Sequence, residues 1–228
     1  DFSGCDLRDA SFKDCYMPSC NFIGAKMQNI TFDGSTLDGS DFSRVNLTGG
    51  RMRNVQMHGV VLYDSVLNGA DMSYSTLDDA DLNNTSFRGT ILRGINAERL
   101  FVPVLPPGQN GTISFENADL TCATIQFDNQ AEEKILVKGS ILIGAHLSDF
   151  EINDSVLEDM DFGRSQLQKV IFKKSIFNRV NFSKVSLIET RFEYCSINNS
   201  NFDSANYRDS IYDNSTFDKC KFKAIDKI

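Results

Sequence analysis

Written in fives, the chain places a large apolar residue in one column from Phe2 to Leu92 without a miss. The nineteen positions include Phe12, Met27, Leu47, Met72 and Phe87. The residue two places earlier is small in nearly every unit, as in Cys5, Ala10, Ala25, Ser40, Gly50, Ala70 and Thr90. A second run holds the same column from Leu142 to Phe222, seventeen positions in the original phase. Between the runs, Phe115, Leu120 and Ile125 keep the period but sit three residues out of phase, so one break shifts the phase by three and the next by two. An amphipathic helix needs apolar spacing near 3.6 and a half-buried strand near 2, and a strict five matches neither. It does match a coil of short straight sides, in which the large and the small residue point inward and the other three face water. The pattern predicts an all-β solenoid whose units pack only on their neighbours.

The outward places are rich in Asn, Asp, Ser and Gly, residues that tolerate tight corners or hydrogen-bond their own backbone. Glycines in the fifth place, such as Gly34, Gly59 and Gly94, read as corners rather than as binding loops. Large residues in the small column, Ile30, Phe150 and Met160, read as local swelling of the core.

Units such as Ala70-Asp71-Met72, Ala80-Asp81-Leu82, Ala118-Asp119-Leu120 and Ser200-Asn201-Phe202 resemble the pentapeptide-repeat family. The resemblance covers most of the chain. It implies a right-handed quadrilateral β-helix with four pentapeptides per coil, about ten coils in all and on the order of 50 Å long at a strand-like spacing of about 4.8 Å. Residues 1–228 form one domain on this reading, with regular runs over 1–92 and 140–224 and an interrupted segment over 93–139. The chain starts at Asp1 without a Met, and neither end has the look of a solenoid cap, so a piece of a longer protein is expected.

The net charge is −8, from 31 acidic and 23 basic residues, which argues against direct binding to nucleic acid or to an anionic membrane and against acidic partners. No apolar run approaches the roughly 18 residues of a membrane span. Five of the six cysteines, Cys5, Cys15, Cys20, Cys195 and Cys220, occupy the small inward column, where a thiol is a compact filler. Cys122 falls outside it without a His or carboxylate at an activating spacing. Reduced thiols point to a cytosolic working compartment. His58 and His146 lie in outward columns far apart and are expected to be surface residues. No nucleophile–base set, phosphate-binding glycine loop or metal-ligand spacing stands apart from the repeat, so neither catalysis, a cofactor nor a metal is expected in this chain.

In a solenoid, function is expected where the repeat is broken. The largest break, Arg93 to Ile113, contains Leu100, Phe101, Val102, Leu105, Pro106 and Pro107, an apolar and proline-rich stretch expected to loop out as a partner-binding segment. The second, Gln126 to Gly139, carries Glu132 and Glu133 and lies a little over one coil further on, so the two insertions are expected to form one mid-rod protrusion. The third is a basic series in one outward column, Arg164, Lys169, Lys174, Arg179 and Lys184, which makes a belt around slightly more than one coil. Outward Val156 and Ile176 are twenty residues apart and are expected to stack in a small apolar patch.

These features point to a non-catalytic protein–protein interaction module. The architecture is similar to that of bacterial HECT-like ubiquitin-ligase effectors, in which a β-helix ahead of the catalytic lobes recruits host proteins, and that resemblance implies delivery into a host cell. The alternative is a DNA mimic like the quinolone-resistance pentapeptide proteins, which bind type II topoisomerases through an acidic rod. Against it, the paired columns Asp41/Asp81 and Asp38/Asp78 are interrupted by Val61 and His58. A purely structural spacer is the third reading.

Overall fold

The computed structural model describes residues 1–100, 112–115, 118–120, 122–127, 134–137, 140, 142–149, 151–153 and 155–222. The unit Thr31–Ser35 shows how five residues make one side and one corner. Thr31 N donates to Ala10 O of the coil before (2.9 Å), and Phe32 N donates to Arg51 O of the coil after (2.8 Å). Gly34 then takes φ 74°, and Ser35 N closes the corner on Phe32 O at 3.0 Å. A positive φ at the third residue of a four-residue turn is the type II geometry, which glycine adopts at no steric cost. The expected corner glycines Gly34, Gly59 and Gly94 all have positive φ, and elsewhere the place is taken by residues such as Asp64 and Asn84.

Four sides repeat around the rod, beginning at Asp6, Ser11, Tyr16 and Asn21, each bridged in parallel to the residue twenty further on. The third side can be followed through ten rungs: Tyr16, Thr36, Gln56, Thr76, Asn96, Thr124, His146, Gln166, Ser186 and Asn206. In the first run the sides are mostly single bridges. From Asn96 onward many lengthen into strands: β1 (Asn96–Leu100), β2 (Thr112–Ser114), β3 (Thr124–Phe127), β4 (Lys134–Leu136), β5 (His146–Ser148), β6 (Glu151–Asn153) and β7 (Val156–Glu158). They continue as β8 (Gln166–Gln168), β9 (Ile171–Lys173), β10 (Ile176–Asn178), β11 (Arg191–Glu193), β12 (Ser196–Asn198), β13 (Ile211–Asp213) and β14 (Thr216–Asp218). Their parallel sheets run β1-β3-β5-β8, β7-β10-β12-β14, β6-β9-β11-β13 and β2-β4, so the chain is a four-sided β-helix.

The core is a set of stacks. Phe162, Phe182, Phe202 and Phe222 lie ring over ring at centroid distances of 5.1, 4.7 and 5.0 Å, and Phe172, Phe192 and Tyr212 at 5.0 and 5.2 Å. Neighbouring stacks meet edge to face, as at Phe162–Phe172 (6.3 Å, 88°), the other favoured arrangement for aromatic quadrupoles. The small column does more than fill space. Ser35 Oγ accepts from Cys15 N at 3.0 Å and donates to Phe12 O at 2.6 Å, so one inward hydroxyl serves a corner of the preceding coil. Cys195 Sγ imitates it, donating to Phe172 O at 3.3 Å. Ile30 and Met160 are buried in the core as expected, and Ile30 has room because Gly50 sits over it; a Cβ on Gly50 would lie 3.6 Å from Ile30 Cγ2. The place after the large residue is less exposed than the repeat suggests: Asp33, Ser43, Ser73 and Asn83 are buried.

Candidate interaction surface

Both mid-chain breaks open on the same part of the rod. The pairs Asn96↔Thr124 and Thr124↔His146 show coils of 28 and 22 residues in place of twenty. The excesses of eight and two are three and two modulo five, the phase shifts read from the sequence. β1 pairs with β3 and β2 with β4, so the chain leaves and re-enters the helix at neighbouring points in successive coils. Phe101, Val102, Leu105, Pro106, Pro107, Glu132 and Glu133 lie outside the described residues.

Leu100 requires a correction. It ends strand β1, pairs with Phe127 and is 1% exposed, so it belongs to the core and not to an outward loop. Leu100 continues the small inward column after Thr90 and Ile95, across an ordinary corner at Arg99 (φ 51°), and the pairing with β3 shifts register between Ala97 and Leu100.

The belt residues Arg164, Lys169, Lys174, Arg179 and Lys184 all occupy corners, with φ between 49° and 62°. The belt is not one uniform cationic ring. Arg179 is clamped by Asp159, with Nε and Nη2 at 2.7 and 2.8 Å, and by Glu158 at 2.8 Å, and these carboxylates raise its pKa above the ordinary arginine value. Arg164 and Lys184 share a corner in successive coils beside a recess of about 190 Å³ that includes Gly163 and Asn181. Val156 pairs directly with Ile176 and both are exposed, so the expected apolar stack is present. His58 and His146 are exposed; His58 Nε2 lies 3.3 Å from Asp79 Oδ2. Among the described residues, no group of three His, Cys, Asp or Glu side chains is placed to hold a metal ion.

A second cationic feature was not read from the sequence. Where the second side turns into the third, Lys13, Arg51, Arg53 and Arg93 line an open groove of about 530 Å³ together with Asp14, Asp33, Asp71 and Tyr74. Asp33 accepts from Arg53 N, Nε and Nη2 at 3.0, 3.4 and 2.6 Å and from Arg51 Nη2 at 2.8 Å. These bonds, Arg53's side chain first, hold its carboxyl at about 2 against burial, which acts the other way. The signal was present as basic residues forty apart, at 13, 53 and 93, which is every second coil. It becomes visible only once four units per coil is known.

The model described as pentapeptide repeats matches eight copies over residues 1–34, 27–62, 56–94 and 165–203, more than half of the chain. The chain belongs to the pentapeptide-repeat family. Its right-handed quadrilateral β-helix is also the fold of HetL, a pentapeptide repeat protein involved in heterocyst differentiation regulation in the cyanobacterium Nostoc sp. strain PCC 7120. HetL is similar with a TM-score of 0.52 and 15% identity over 94% of this chain and 88% of that one. Rfr23 from the cyanobacterium Cyanothece 51142 matches at 0.39 and 20% identity over 40% of this chain and 63% of that one. QnrB1, a plasmid-mediated fluoroquinolone resistance protein, matches at 0.35 and 13% over 95% and 85%. No curated protein matches. In this pentapeptide-repeat rod, the two inward columns are committed to the core, so any specific chemistry belongs to the outward columns.

Proposed function

We propose that this rod is a non-catalytic module that holds another protein against its outer surface, as the partner-recruiting β-helix of a bacterial effector such as a HECT-like ubiquitin ligase. The observation that carries the reading is the sorting of outward charge by side. In the first run the second-side corner presents Lys13, Arg53 and Arg93, with Asp33 buried in the same column beneath Arg53, while the third-side corner carries Asp38, Asp78 and Glu98, interrupted by His58. A solvated spacer has no need of such order over five coils. A rigid surface with sorted charges meets a complementary partner in one register, which gives specificity more than raw affinity. Six free cysteines, most of them in the inward column, suit work in the reducing cytosol of a host cell.

The DNA-mimic alternative asks for continuous acidic columns. Asp41 and Asp81 are bridged through Val61, and His58 and Arg99 sit on Asp79, so the acidic columns are broken in both directions. The deciding experiment is a pull-down from host-cell and from bacterial lysate with the intact rod and with residues 101–108 replaced by a Gly/Ser linker that leaves the buried Leu100 in place. Specific host-protein capture, weakened by the replacement, is the expected result. Capture of a type II topoisomerase that ignores the replacement rejects the proposal in favour of DNA mimicry.

A further inference from the structure

We infer that the second-side corner of the first run is a docking groove for an acidic, extended segment of a partner protein, with carboxylates three residues apart seated on Arg53 and Arg93. The inference rests on the protein-binding reading above and names the partner chemistry of one surface.

The argument begins with which charges are on top. The anchoring carboxylates lie low, Asp33 with its side chain 9% exposed and Asp119 with 13%, whereas the guanidinium side chains of Arg51, Arg53 and Arg93 are 57, 43 and 58% exposed. Asp33 takes Nε and one Nη of Arg53 and one Nη of Arg51, and Asp119 takes Nε of Arg93 at 2.5 Å. A guanidinium carries five N–H donors, so each of these arginines keeps donors for a ligand while its orientation is already set from below. Pre-positioned side chains avoid much of the ordering cost of binding. A ligand approaching this corner therefore meets cations first.

Spacing selects the ligand. Arg53 and Arg93 are two coils apart, about 10 Å at roughly 4.8 Å per rung. That is close to one three-residue turn of an extended polyproline II chain at about 3.1 Å per residue, the conformation that brings residues three apart onto the same face. Between them Tyr74, 67% exposed, lies flat on the backbone, since a Cβ on Gly94 would stand only 2.8 and 2.9 Å from ring atoms Cδ1 and Cε1. The groove thus alternates cation, aromatic platform, cation. Asp71 Oδ1 accepts from Ser73 N at 3.1 Å and Oγ at 2.6 Å, while its charge still acts on Arg53. Lys13, Arg51, Arg53 and Arg93 balance Asp14, Asp33, Asp71 and the Asp119 beneath Arg93, four against four, so attraction comes from the arginines standing above their carboxylates, which suits spaced monoanionic carboxylates better than a compact dianion. The chain's net charge of −8 does not decide the contact, because charges beyond about 10 Å are screened at 0.1 M salt. The general expectation against acidic partners gives way at this corner.

The test titrates the whole 228-residue chain against a fluorescein-labelled nonapeptide with Glu at its third and sixth positions and Phe at its fourth, followed by anisotropy. Saturable binding is expected, weakened about tenfold or more by R53Q/R93Q, in line with loss of two charge-assisted contacts. Because R53Q strips Asp33 of its main partner, Y74A serves as a second variant that leaves the ion pairs intact, with a loss of about threefold or more expected. K184Q, on a different stretch of the rod, should change nothing. Equal binding of the Gln-for-Glu peptide, unchanged affinity in both variants, or displacement of the peptide by an equal concentration of inorganic phosphate each overturns the inference. A host partner captured in the pull-down and retained by both variants would reject this groove while leaving the recruiting-module reading in place.

Discussion

Asp33 shows how one side chain sets both a stability window and a surface. Its carboxyl titrates at about 2 when folded against 3.8 when unexceptional, so the folded state binds its proton less readily than the unfolded chain. The stabilisation is complete above pH 3.8 and is lost as pH falls from there through 2. It is worth on the order of 1–2 kcal/mol once the solvent-exposed guanidinium ends are discounted. The D33N variant should therefore be less stable than the native chain at pH 6, and the gap should close towards pH 2 in urea midpoints. Asp6, held at about 2 by Arg8, titrates in the same range in both proteins and cancels in the comparison. Asp81 has the opposite sign: burial raises its pKa, and the like charge of Asp41 adds to that. Its contribution is present below the unfolded pKa and lost as pH rises through the folded one. D81N can keep the turn bond to Asn83 N, 2.9 Å in the native chain, and should raise the melting temperature at pH 7 by a few degrees but not at pH 3. The carboxylates and arginines were legible as surface charges in the sequence; their partners, eighteen to twenty residues away, were not.

At the scale of the element, a side and its corner are specified locally, whereas stability comes from stacking. Positive-φ corners carrying Gly, Asp or Asn could be read from composition; that Arg164, Lys174 and Lys184 accept the same conformation could not, since such residues rarely do so without surrounding constraint. Phe182 is held between Phe162 at 5.1 Å and Phe202 at 4.7 Å with its side chain fully buried. Phe182→Ala should cost about 3–5 kcal/mol in chemical denaturation, and Phe182→Leu markedly less, because a cavity between two rings cannot collapse when the backbone rungs hold their spacing. Equal small losses in both would mean that the stacks contribute little beyond filling. The misreading of Leu100 belongs to this scale as well: it continues the inward column of Thr90 and Ile95 and is buried like them, a phase hidden in the sequence by the apolar, proline-rich stretch that follows.

For the molecule as a whole, the coil is the unit of structure. Deleting residues 46–65 removes twenty residues and joins Val45 to Val66 in unchanged phase, so the shorter rod should keep its far-ultraviolet signal per residue and a cooperative melt. Deleting residues 46–63 removes eighteen, throws the inward columns out of phase across the junction, and should abolish the cooperative melt. Comparable melts for the two would refute the account of the core. By itself the sequence determined the period, the identity of the inward residues, the corners and even the phase shifts at the two breaks, because a pentapeptide's inward and outward faces depend only on its own five residues. The tertiary structure alone decided which residues stand above one another, and with that the Asp33–Arg53 node, the capture of Arg179 by Asp159 and the groove beside Tyr74. Those contacts join residues about one coil apart, and the length of a coil, twenty residues or 28 or 22 at the breaks, is settled only when neighbouring rungs pair.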